Sequence, residues 1–129
     1  MTGRSLAKGS RVKKILVVDD DESNAFILAK LLQHCGYEAV FELSGEAALK
    51  TAAAFEPDVV FMDLAMPDMS GYELARQLRQ RGSDGKPRLV SLTGSDRGQG
   101  DGDDSVFDDY LLKPADVKTL CKIIDGGEG

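Results

Sequence analysis

Three short runs, Ile15–Val18, Val59–Met62 and Leu89–Leu92, are aliphatic or β-branched almost without interruption. Strands that alternate in polarity have one wet face; strands this continuously apolar are buried on both, which requires a parallel sheet covered by helices. Glu38–Leu43 is a fourth, mixed strand and Asp109–Leu112 a fifth. Helical patterns fill the gaps between them. Ala25, Leu28, Ala29 and Leu32 recur at helical spacing before Gly36, and Ser44 opens Gly45–Phe55, closed by Pro57. Gly71, Leu74, Ala75 and Leu78 form a third stripe; Val117, Leu120, Cys121 and Ile124 form the last. Strand and helix therefore alternate, predicting a doubly wound α/β fold: a five-stranded parallel sheet with helices on both faces. The rhythm fails once. Gly94–Ser105 stands where a helix is due, yet holds four glycines in twelve residues. Each costs a helix about 1 kcal/mol relative to alanine, so this helix is expected to be short or disordered.

A chain of 129 residues supports one core of this size. The domain is expected to run over 13–125, after a basic leader at 1–12 and before a flexible tail at 126–129. The net charge of −6 is unevenly placed. Residues 1–14 carry five basic side chains and no acid, whereas 95–109 carry six aspartates against Arg97. Everything past the leader repels a polyanion, which argues against direct nucleic-acid binding. No apolar run has the length of a membrane span. Cys35 and Cys121 lie in helical patterns without CxxC spacing and read as buried free thiols of a reducing compartment, so a cytoplasmic location is expected.

In an open parallel sheet, ligands gather beyond the carboxyl ends of the strands. The first strand there runs into Asp19-Asp20, the third into Asp63, the fourth into Thr93 and the fifth into Lys113-Pro114. Converging carboxylates repel unless a cation neutralises them. A hard divalent ion, Mg²⁺ above all with Mn²⁺ as a substitute, suits oxygen ligands and keeps positions for phosphate. A lysine and a threonine hydroxyl complete a phosphoryl site, and aspartate is a known acceptor in covalent phosphoryl transfer. Asp63 ends the central apolar strand and is the candidate nucleophile.

Val17-Val18-Asp19-Asp20, Asp63-Leu-Ala-Met66-Pro67, Leu92-Thr93-Gly94 and Asp108-Asp-Tyr110-Leu-Leu-Lys113-Pro114 resemble, in order and spacing, the motifs of the receiver domain of bacterial two-component response regulators. The resemblance implies the flavodoxin-like strand order 2-1-3-4-5. It implies that Asp63 accepts a phosphoryl group from a histidine kinase or histidine phosphotransfer protein. Asp20, Asp63 and the Ala65 carbonyl then hold Mg²⁺ directly, with Asp19 acting through water. Thr93 and Lys113 contact the phosphoryl group, Tyr110 reports the event by changing rotamer, and Pro114 follows a cis peptide bond. Such a protein is a signalling switch that catalyses its own phosphorylation and dephosphorylation.

Plainer readings stand beside these. Asp21 and Glu22 are acids at a helix start, where the dipole favours them. Tyr110 serves equally as a core aromatic, and the lone His34 as a solvated side chain near a helix end. Two rival functions follow: a receiver-fold adaptor that no longer switches, because the Gly94–Ser105 segment replaces a signalling helix, and a small Mg²⁺-dependent phosphatase. Ala65 stands where aspartate-nucleophile phosphatases carry a second carboxylate, which disfavours the latter.

Overall fold

A computed structural model describes residues 12–64, 68–82, 87–93, 106–113 and 116–125, with the side chain of Thr93 outside that set. Five strands, β1 (Lys14–Val18), β2 (Glu38–Glu42), β3 (Val59–Asp63), β4 (Arg88–Thr93) and β5 (Asp109–Leu112), form one parallel sheet in the order β2-β1-β3-β4-β5. The continuous apolar runs are its centre. Ile15, Leu16, Val17 and Val18 are at most 1% exposed, and Val60, Phe61 and Met62 are wholly buried.

Successive residues supply two separate cores, as the two-residue period of a strand requires. Leu16, Val18, Val60, Met62 and Leu89 face one side and pack with Ala48, Leu49, Leu74, Ala75 and Leu78. Ile15, Val17, Val59, Phe61 and Val90 face the other and pack with Ala25, Ala29, Leu32, Leu120 and Ile124. Helices α1 (Glu22–His34) and α4 (Val117–Ile124) thus cover the second face, α2 (Gly45–Phe55) and α3 (Gly71–Arg81) the first. Each fully buried aliphatic side chain contributes about 1.5–3 kcal/mol, so these stripes hold the layers together.

Local chemistry sets the helix ends. Asp21, Ser44, Ser70 and Asp116 are the N-caps, each accepting a bond from the backbone N–H three residues on. Asp21 and Glu22 are accordingly helix-start acids, and His34 lies exposed in the last turn of α1. Gly36 adopts φ 100°, which a residue without Cβ reaches at no steric cost. α2 ends before Pro57, because the ring disfavours helical geometry in the residue preceding it; Glu56 turns to φ 52° instead.

The cysteines differ from their expected burial. Both are free, but Cys35 is exposed and Cys121 only half-buried. The apolar stripe of α1 finishes at Leu32, so Cys35 falls past the face that packs. The leader up to residue 11, the 94–105 segment and the 126–129 tail lie outside the described residues, as do Ala65 and Pro114. The described chain has four helices, of which α4 is short.

Candidate phosphoryl and metal site

Strand order reverses between β1 and β3, which send consecutive connections to opposite faces of the sheet. That reversal opens a crevice at the carboxyl edge. Asp19 follows β1 and is 4% exposed; Asp20, next along, is exposed. Asp63 closes β3, one strand over, with its side chain 16% exposed. One carboxylate oxygen from each of the three lies within 4.8 Å of the others.

Lys113 enters from the other end of the sequence, directly after β5. Its Nζ donates to Asp19 Oδ2 at 2.8 Å and stands 3.6 Å from Asp63 Oδ2. Asp19 Oδ1 accepts the Asp21 N–H at 3.0 Å, which fixes the carboxylate between the start of α1 and the lysine. Burial pulls the Lys113 ammonium down, but Asp19 and Asp63 outweigh it and hold the group above the ordinary lysine value. It is therefore firmly charged. Among the described residues, one ammonium faces three carboxylates, which leaves excess negative charge.

This donor set fits a hard divalent cation. Mg²⁺ takes oxygen ligands at 2.0–2.1 Å, so opposite oxygens in its shell are about 4.2 Å apart. Carboxylates no more than 4.8 Å apart reach that spacing by small side-chain rotations, or with one of them bound through water. Among the described residues, no histidine and no cysteine joins the group, which disfavours zinc.

The segment after Asp63 is secured at both ends of its described part. Gly71 N–H donates to the Leu64 carbonyl at 2.9 Å, and a Cβ on Gly71 would lie 2.8 Å from the Asp63 carbonyl oxygen. Glycine at the head of α3 is thus required by the approach to Asp63. Asp68 accepts N–H bonds from Gly45 and Glu46, both at 3.0 Å, strapping the loop to the start of α2. Its pKa is lowered by those two bonds. Nothing in the sequence pattern singles out Asp68, because its partners are backbone amides from a remote helix.

Of the residues expected at this site, Asp19, Asp20, Asp63 and Lys113 come together. Thr93 ends β4 opposite Leu112, placing its backbone at the same edge. Ala65 and Pro114 fall outside the described residues. Tyr110 is half-buried on β5, with its ring 5.5 Å from that of Phe107; Phe107 in turn stands 5.7 Å from Tyr72 on α3. Both contacts are edge-on, the geometry aromatic quadrupoles favour. This chain of rings links β5 to α3, and its sequence separation hides it from periodicity.

Comparison with known proteins gives the same reading from outside. Residues 15–125 match the response regulator receiver domain. Protein PilH of Pseudomonas aeruginosa is 31% identical over 87% of this chain and 94% of its own length. Response regulator ArlR of Staphylococcus saprophyticus is 32% identical over 83% of this chain but 48% of its own, and the alkaline phosphatase synthesis regulator PhoP of Bacillus subtilis is 44% identical over 54% and 29%. The chain thus spans half or less of these two regulators. Among solved structures, a CheY-like receiver domain from Methylobacillus flagellatus superposes with TM-score 0.79 at 32% identity, covering 88% of this chain and 97% of that one. TrrA of Thermotoga maritima, in complex with Mg²⁺ and BeF, gives TM-score 0.77 at 31% identity over the same shares. Sheet order, charged edge and these likenesses agree, and the chain belongs to the response regulator receiver domain family.

Proposed function

We propose that the protein is a phosphoacceptor switch, with Asp63 taking a phosphoryl group from a phosphohistidine of a histidine kinase or histidine phosphotransfer protein. The observation that carries this reading is the meeting of Asp19, Asp20, Asp63 and Lys113 at the crevice between β1 and β3. Receiver domains are signalling switches of two-component systems, and the magnesium-bound relative supports the same ion here.

Asp63 is the acceptor because it ends the central strand and stays partly exposed, whereas Asp19 is buried and committed to Lys113. An Asp63 carboxylate oxygen attacks phosphorus, the P–N bond breaks, and the departing imidazole nitrogen keeps the electron pair. Lys113, 3.6 Å from Asp63 Oδ2, is placed to follow the negative charge onto the phosphoryl oxygens. Asp19 positions that ammonium. Asp20, Asp63 and the Ala65 carbonyl would hold Mg²⁺, with Asp19 acting through water, and the ion would supply charge neutralisation. Thr93 would contact the phosphoryl group, and Tyr110 would carry the change to Phe107 and α3. No described helix is long and apolar enough to cross a membrane. We place the protein in the cytoplasm, where kinase and phosphotransfer partners act.

The test is intact mass after incubation with Mg²⁺ and a small acyl phosphate, with Asp63→Asn alongside. One added phosphoryl group, absent in the variant and in chelator, is the expected result. Absence of any gain would favour a non-switching adaptor, and steady hydrolysis of unrelated monoesters a phosphatase.

A further inference from the structure

Asp19 and Asp63 each stand one residue past the last pair of the β1–β3 ladder, which closes at Val18 and Met62. Their spacing therefore draws on bonds outside that ladder. The Asp19 N–H donates to the Glu42 carbonyl at 3.2 Å, at the end of β2. Leu43 and Ser44 lead from there to Gly45 at the head of α2. The N–H groups of Gly45 and Glu46 are held at 3.0 Å by the two oxygens of Asp68. Met69 and Ser70 lead in turn to Gly71, which donates to the Leu64 carbonyl at 2.9 Å, directly after Asp63. A belt of contacts thus runs from Asp19 to Asp63 around the head of α2, and Asp68 closes it. Both glycines are joints without slack. A Cβ on Gly45 would lie 2.6 Å from Met69 Cγ, and one on Gly71 would lie 2.8 Å from the Asp63 carbonyl oxygen. Asp68 itself is not among the three carboxylates gathered at the crevice.

We infer, resting on the reading of Asp19, Asp20 and Asp63 as a Mg²⁺ site, that Asp68 is a positioning residue for the ion: by closing the belt through the head of α2, it fixes the spacing at which Asp19 and Asp63 meet the metal. Mg²⁺ demands near-ideal octahedral geometry, so its affinity depends on groups that hold the ligands still without touching the ion. Lys113 bonds Asp19 and faces Asp63 from β5, whereas the belt reaches the same two residues through their backbones from the side of β2 and α3. Opening the belt therefore leaves every carboxylate of the cluster and its lysine in the chain, and loosens only where two of the carboxylates stand.

The experiment titrates the full chain with Mg²⁺ alone in a calorimeter and reads folding by thermal unfolding in chelator. Asp68→Ala should weaken Mg²⁺ binding by about tenfold, the low end of what loss of a supporting partner costs a metal site. Asp68→Asn removes the same charge but keeps an oxygen for one amide, and should recover part of the affinity. Gly45→Ala changes no charge, yet its Cβ displaces Met69 and should weaken binding severalfold. Asp58→Ala, a destabilised variant at the opposite edge of the sheet, should bind Mg²⁺ as wild type does. Unchanged affinity in Asp68→Ala or Gly45→Ala, equal losses in Asp68→Ala and Asp68→Asn, a matching loss in Asp58→Ala, or a wild type that binds no Mg²⁺ would each overturn the inference. The phosphoacceptor reading fails separately, by absence of the phosphoryl mass gain, which the titration does not read.

Discussion

Two aspartates are buried at opposite ends of the same sheet, and they do opposite things. Asp58, 9% exposed at the amino edge, accepts the Lys14 N–H at 2.8 Å, while its own N–H donates to the Lys14 carbonyl at 2.7 Å and its carbonyl accepts from Arg88 at 2.9 Å. It knits three strand starts together. Asp19, 4% exposed at the carboxyl edge, faces Asp20 and Asp63 and depends on one lysine. Burial of a carboxylate therefore says little about function. Crowding of several with too little positive charge says a great deal, since it stores repulsion that a cation can relieve.

The contrast can be broken or sharpened by substitution. Lys113→Met strips the only cation that the described residues place at the Asp19 cluster and should destabilise the metal-free protein by about 3 kcal/mol, with part restored by Mg²⁺. Urea unfolding in chelator and in magnesium reads both, and equal midpoints for variant and wild type would erase the distinction between the two ends. Asp58→Ala should cost about 2 kcal/mol with no magnesium dependence, because it leaves the Lys14 N–H without that acceptor. Asp20→Asn should move the other way. Relieving repulsion raises stability in chelator by under about 1 kcal/mol, while calorimetric titration should show weakened Mg²⁺ binding. Ser91 offers a neutral control: its Oγ is buried and makes no hydrogen bond among the described residues, so Ser91→Ala should leave the midpoint level or slightly higher.

The smallest effect belongs to Asp68, whose pKa is lowered below the ordinary 3.8 by the Gly45 and Glu46 amides. A depressed carboxylate stabilises the fold above its unfolded pKa and loses that contribution as pH falls through the folded value. Urea midpoints of wild type and Asp68→Asn should therefore differ near neutrality and converge as pH falls below the ordinary carboxylate value of 3.8. A constant difference down to the lowest pH would show that the loop is not strapped by charge.

The strands and helices were legible because both sheet faces are covered, so the apolar runs and stripes carried the whole layer pattern: α2 begins and ends where Ser44 and Phe55 suggested. The charged edge was legible for a different reason, since β1, β3, β4 and β5 each run there into a residue of the right chemistry. What stayed hidden depends on contacts between remote backbone and side chains. Asp58 and Asp68 satisfy backbone amides, and Phe107 wedges between Tyr72 and Tyr110. No spacing rule encodes such meetings. The exposure of Cys35 was missed because an apolar stripe shows where a helix packs, not how far its last turn overshoots the core.

The bond between Lys113 and Asp19 spans 94 positions of sequence. A nascent chain exposes Asp19, Asp20 and Asp63 long before the residue that counterbalances them has been synthesised. Assembly of the charged edge must await docking of the last strand, so a half-made chain holds three crowded acids without the ammonium that balances Asp19.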